Sequence, residues 1–168
     1  MKELVEKAKN NDQQAFCELV KIIKKDLYFT AKARLNNDDD IEDAIQETLF
    51  KCYQNINKLR DNSVFKTWAI RILINECNNI YRRKNKNVIS YEEKEMEKYI
   101  CVNNDNENLE FQFLIQNLTR EEKIILTLYY CCKYTIKEIS KIVRINQNTI
   151  KGKMARARNK IKKLYEIQ

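Results

Sequence analysis

The chain has 168 residues, no proline, one glycine, no histidine and a net charge of +8. That length can bury one good core or two small ones. The scarcity of turn residues beside abundant Lys, Glu, Leu, Ile and Gln argues against hairpins and for an all-α protein. The lack of histidine excludes His-based catalysis, and the lack of a glycine-rich phosphate loop excludes P-loop nucleotide hydrolysis.

In chain order, Leu4, Val5 and Ala8 predict a short first helix, broken near Asn10-Asn11. Asp12 can cap a longer helix whose stripe is Ala15, Phe16, Leu19, Val20, Ile23, Leu27 and Ala31. The polar run Asn36 to Asp40 ends it. Asp38 to Asp40 then place negative charge at the start of a third helix, as the macrodipole favours. The triple aspartate suits either a solvated helix start or a cation. A loop around Leu59 to Asn62 leads to a fourth helix, on which Phe65, Trp68, Ala69, Ile72 and Leu73 repeat at helical spacing. Phe65 and Trp68 are expected in the core.

Residues 85–106 lose the apolar period, and residues 87–106 are the expected linker. Glu107 to Asn117 predicts a helix with Leu109, Phe111, Phe113 and Leu114. Thr119 to Glu122 and Thr135 to Glu138 are two capping-box patterns, the first opening a helix with Ile124, Ile125, Leu128 and Tyr129. Asn146 can cap a last helix, running to about Tyr165, whose buried stripe is Ile150, Met154, Ala157, Ile161 and Leu164.

Charge is distributed in blocks: −1 over residues 1–59, +5 over 60–90, −5 over 91–110 and +9 over 111–168. Two basic blocks on either side of an acidic one favour a nucleic-acid partner, since each can track a phosphate backbone. None of the six cysteines forms a CxxC pair, so they are expected as small buried apolar residues and no metal or cofactor site is expected. No apolar run is long enough to cross a bilayer and the N-terminus lacks a signal-peptide core, so the protein is expected in the cytoplasm with no membrane partner.

Three constellations carry function. Thr135 to Arg158 reads as a bracing helix, a tight break and a basic helix, an arrangement that places one helix in the DNA major groove. Asn148, Thr149, Lys151, Gly152, Lys153 and Arg156 fall on its open faces; Thr, Asn and Lys can read base edges, while Lys and Arg hold phosphates. Gly152 either admits closer approach to the groove or is neutral drift. Asp43, Gln46 and Glu47 cluster at i, i+3 and i+4, either as a solvated face or as a surface for a basic partner. Arg82, Arg83, Lys84 and Lys86 close the fourth helix, where cations suit the dipole and also suit DNA.

These segments resemble, in the expected order, bacterial RNA polymerase sigma factors of the extracytoplasmic-function (ECF) type. DIEDAIQETLFKCYQNI is similar to the region 2.2 segment that docks on the β′ coiled coil, FKTWAIRILINECNNIYRRK to regions 2.3 and 2.4, and LTREEKIILTLYYCCKYTIKEISKIVRI with NTIKGKMARARNKIKKL to region 4. The resemblance implies two small helical domains on a flexible linker: region 2 over 1–86, the linker over 87–106 and region 4 over 107–168. It implies core-polymerase binding by Asp43, Gln46, Glu47 and Phe50. It implies −10 contacts from Lys58, Arg60, Asp61, Asn62, Ser63, Arg71, Asn75, Asn79, Arg82, Arg83 and Lys84, with Asn75 and Asn79 lining a pocket for an extruded base. It implies −35 contacts from Asn148, Thr149, Lys151, Gly152, Lys153 and Arg156. The implied partners are core RNA polymerase (β′ coiled coil and β flap), promoter DNA and, where one exists, a separate anti-sigma factor; the polymerase supplies the active site. The chain departs from the family pattern at Arg144, where glycine is usual, at Gly152, where serine is common, and at Thr119-Arg120, where proline is frequent. The rival readings are a self-standing helix-turn-helix regulator of duplex DNA and an adaptor whose helices bind only proteins.

Overall fold

The computed structural model describes residues 1–86, 114–115 and 117–165; of residues 85, 86, 164 and 165 it describes the backbone only. All regular structure among the described residues is helical, arranged as two bundles. The expected linker over 87–106 lies outside the described residues. So does most of the helix expected from Glu107, of which Leu114 and Ile115 are helical.

In the N-terminal bundle, α1 (Lys2–Lys9) ends at Asn10, and Asn11 reverses the chain with a left-handed φ of 65°. Asp12 then accepts a hydrogen bond from the Ala15 N–H at 3.0 Å and opens α2 (Gln13–Lys32). Such a cap contributes about 1 kcal/mol. Asn37 caps α3 (Asp38–Asn55), so the three aspartates occupy its first turn. Two 3₁₀ turns, Ile56–Lys58 and Asn62–Val64, lead into α4 (Phe65–Lys86). Lys84 near the end of α4 pairs with Asp40 at the start of α3 at 2.6 Å, so the two helices run antiparallel. Leu19, Ile23 and Leu27 of α2, Ile41 of α3, and Phe65, Ile70 and Leu73 of α4 fill the core between them. Phe65 is fully buried as expected, whereas Trp68 is only half-buried, with one flank open.

The C-terminal bundle begins with α5 (Arg120–Leu126), and both predicted capping boxes form with reciprocal bonds, at Thr119/Glu122 and at Thr135/Glu138. A π turn over Thr127–Cys131 follows α5, closed by the Cys132 N–H on the Thr127 carbonyl at 3.1 Å. Its wider turn corrects one sequence expectation. Leu128 stays fully buried, but Tyr129 rotates off the apolar stripe and is 37% exposed. After α6 (Ile136–Val143), Arg144 makes the break in the left-handed conformation (φ 57°, ψ 39°), and Asn146 caps α7 (Gln147–Tyr165) through the Thr149 N–H at 2.9 Å. Ile150, Met154 and Ala157 are buried as expected, while Ile161 is half-buried.

Glu122 is the anchor of this bundle. Burial pushes its carboxyl up, but Lys160 at 2.9 Å and the Thr119 donors outweigh burial and hold it below its ordinary 4.5. A carboxylate lowered in the folded state contributes stability that is complete above its unfolded value and is lost as pH falls through the folded one. Thermal melts of the wild type should therefore lose stability as pH falls below about 4.5, the ordinary carboxyl value. Glu122→Gln should cost about 1–3 kcal/mol at neutral pH and flatten that acid dependence.

The two bundles pack together. The Tyr134 hydroxyl donates to Asp26 Oδ2 of α2 at 3.2 Å, and Lys66 pairs with the same carboxylate at 3.5 Å. Burial and the Asp26 charge push the Tyr134 phenol upward, which keeps it a donor. The Arg120 guanidinium sits 3.4 Å over the Tyr81 ring. The α6–α7 turn lies against α4 in a cleft lined by Arg71, Ile74, Asn78, Val143, Arg144 and Ile145. One cluster of buried apolar side chains runs through both bundles.

The cysteine expectation holds in part. Cys52 and Cys77 are buried and pushed up to about 12 by burial, but Cys17 is exposed because it lies off the apolar stripe of α2. Cys101 lies outside the described residues.

Candidate functional site

The first surface is the outer face of α3. Ala44 and Thr48 are buried and Ile45 and Leu49 partly so, which turns Asp43, Gln46, Glu47 and Phe50 outward together. Phe50 is 56% exposed, a large apolar ring beside two carboxylates. An exposed aromatic rimmed by charge is the usual make-up of a protein docking point. Tyr53, 45% exposed, extends the patch by an edge-on contact with Phe16 at 5.1 Å.

The second surface is a groove of about 600 Å³ between α3, the 3₁₀ turns and α4. Lys58 and Arg60 stand at its rim, Trp68 and Ile72 form an apolar wall, and Asn75 projects from α4. The groove thus brings together Lys58, Arg60 and Asn75. Asn79 lies one helical turn further, where its amide donates to Glu76 Oε2 at 3.4 Å. Asp61 caps the second 3₁₀ turn, accepting from the Ser63 hydroxyl at 2.7 Å and the Ser63 N–H at 2.8 Å, and these bonds hold its carboxyl below the ordinary range. Asn62 donates to Glu6 at 2.6 Å, tying the turn to α1. Lys9 reinforces that tie through the Leu59 carbonyl at 2.6 Å. Arg71 is not at the groove; it faces the turn between α6 and α7. Arg82 and Arg83 are exposed, whereas Lys84 is engaged by Asp40.

Lys51, Gln54, Asn55 and Glu76, and Trp68 as a wall, are groove residues that escaped sequence reasoning. Glu76 is only 7% exposed, and Lys51 reaches it at 2.9 Å while also reaching Glu47 at 3.1 Å. Only the i, i+4 spacing of Glu47 and Lys51 was visible in the sequence.

The third surface is the outer face of α7. Asn148, Thr149, Lys151, Gly152 and Arg156 are all exposed, and Lys153 is half-buried against Glu121 at 2.7 Å. A Cβ added at Gly152 would meet nothing within 4 Å, so no packing within the chain requires glycine there. Gly152→Ala should raise stability by about 1 kcal/mol, read as a higher Tm. A loss of duplex affinity in the same variant would show that close approach at this position matters.

Comparison with known proteins places this chain in a family. Residues 19–87 match the model for sigma-70 region 2, and residues 108–161 match that for sigma-70 region 4. The chain is 27% identical to the ECF RNA polymerase sigma factor SigW of Bacillus subtilis over 97% of this chain and 95% of that relative. It is 25% identical to the ECF RNA polymerase sigma-E factor of Haemophilus influenzae, over 94% and 91% respectively. Its fold matches CnrH, solved in complex with the cytosolic domain of CnrY, with a TM-score of 0.77 at 18% identity over 99% of this chain and 97% of that one. It also matches the sigma factor RpoE solved with the anti-sigma factor NepR from Bartonella quintana, with a TM-score of 0.73 at 21% identity over 91% and 98%.

Proposed function

The chain belongs to the sigma-70 family, as an ECF-type sigma factor of bacterial RNA polymerase, and on that premise we propose how its surfaces divide promoter-specific initiation. It directs the polymerase to promoters and is not an enzyme. Residues 1–86 act as region 2, 87–106 as the linker and 107–168 as region 4. Asp43, Gln46, Glu47 and Phe50 dock on the β′ coiled coil, with the carboxylates meeting basic side chains and the ring entering an apolar pocket. Region 4 contacts the β flap.

The groove lined by Lys58, Arg60, Trp68 and Asn75 holds single-stranded −10 DNA, combining rim cations with an aromatic wall and a base-reading amide. Arg82 and Arg83 extend the cationic track. Asn148, Thr149, Lys151, Gly152 and Arg156 face the −35 duplex, with Lys153 available once released from Glu121. Arg71 faces the helix-turn-helix in this arrangement, so its use as a DNA contact requires the bundles to separate. Two weak attachments on one chain gain avidity only where both elements are correctly spaced. No helix among the described residues is long and apolar enough to cross a membrane, in keeping with action beside the polymerase in the cytoplasm. One solved neighbour is a sigma factor in complex with the anti-sigma factor NepR, which supports control by a separate anti-sigma factor.

The observation that carries this reading is the outward Asp43–Gln46–Glu47–Phe50 face, which a self-standing regulator of duplex DNA would not need. Mapping transcription start sites after overexpression tests it. New starts sharing paired upstream elements at fixed spacing are expected; duplex binding in cells with no new start would favour the self-standing regulator.

A further inference from the structure

Glu76 is a nearly buried carboxylate in the wall of a groove read as a nucleic-acid site. A carboxylate there is electrostatically costly for an approaching phosphate chain, and its burial demands a partner. Lys51 meets that demand at 2.9 Å, and Asn79 adds a donor at 3.4 Å. Both bonds fall on Oε2, and no hydrogen bond from another described residue falls on Oε1. The ammonium balances the charge without using the second acceptor. Lys58 and Arg60 at the rim offset what remains for the DNA backbone.

A carboxylate oxygen accepts from donors only. Among base edges the donors are the exocyclic amino groups of cytosine, adenine and guanine and the ring N–H of thymine and guanine. Cytosine N4 and adenine N6 are the amino groups that stand where thymine and guanine carry keto oxygens. We propose that Glu76 is a specificity-determining residue of the groove, accepting a hydrogen bond from the exocyclic amino group of a single-stranded base while Lys51 holds its other oxygen. Trp68 supplies the flat wall against which that base lies, and Asn75 stands one residue before Glu76 on the same helix. This rests on the groove being the −10 single-strand site.

The test uses holoenzyme assembled from core polymerase and the full chain, with single-stranded non-template oligonucleotides spanning the −10 element. Each adenine is replaced in turn by unsubstituted purine and each cytosine by pyrimidin-2-one, which removes the amino donor, adds no ring N–H and keeps the ring. At one position the wild type should lose about tenfold in affinity, and Glu76→Gln should shrink that loss to about threefold or less. Glu76→Asp keeps the charge for Lys51 but withdraws the acceptor by one methylene, so its loss should lie between the two. The proposal is overturned if no position is sensitive, or if the loss is the same in wild type, Glu76→Gln and Glu76→Asp. Should Glu76→Gln fail to assemble, the wild-type scan and Glu76→Asp still decide. Promoter-dependent initiation without amino-group sensitivity overturns this assignment alone. Absence of initiation on every promoter overturns the groove's reading and this assignment with it.

Discussion

Lysine in place of Glu47 is expected to weaken core-polymerase binding at least about tenfold, because a like charge set against a basic partner costs several kcal/mol and each 1.4 kcal/mol is tenfold. The fold should tolerate the change. Glu47 is half exposed, and among the described residues its one ion pair, with Lys51, is shared with Glu76, which Lys51 keeps at 2.9 Å. Titration of labelled core against the variant gives the affinity. Binding of the same variant to −35 duplex should be unchanged, since α7 lies in the other bundle. If core binding and duplex binding fell equally, the assignment of separate surfaces would be wrong.

Phe65→Ala is expected to cost about 3–5 kcal/mol, the usual range for removing a fully buried phenylalanine. Phe65 is 0% exposed and opens α4, with Trp68 6.0 Å from it between ring centroids. The cavity therefore forms beside the groove wall. A loss of that size is a large part of a small domain's total stability. Chemical denaturation should show a lower midpoint, and −10 single-strand binding should fall with it. Because Tyr134 and Lys66 join the two bundles through Asp26, the C-terminal helices should also become less protected in hydrogen exchange. Protection of α5 to α7 unchanged beside a destabilised α4 would show that the packed bundles unfold independently.

What the sequence revealed about this fold follows from how local each signal is. The caps at Asp12, Thr119, Thr135 and Asn146 are contacts over three residues, and each forms as its pattern indicates. A tight break between the last two helices was legible locally, but its placement at Arg144 came from the resemblance, where glycine is usual, and Arg144 takes the left-handed conformation there. The outward face of α3 follows from helical period alone. The groove did not, because its wall joins Lys51 of α3 to Glu76 of α4, and no short-range pattern couples positions on different helices. Trp68 packs against the core as its spacing indicates, yet it stands at the edge of the apolar stripe, where the groove opens. The π turn was hidden because an i→i+5 bond leaves no composition signal, and Tyr129, which lies within it, is at the surface. Packing of one bundle on the other, through Asp26 and Tyr134, spans more than a hundred residues of sequence and was equally invisible.

Run-off transcription with purified core polymerase tests the central claim most directly. Core supplemented with this protein should initiate at one defined position on a promoter carrying both elements. Glu47→Lys at the same concentration should reduce that product in step with its weaker core binding while still binding −35 duplex. Failure of the wild type to initiate on any promoter it occupies in cells would contradict the account.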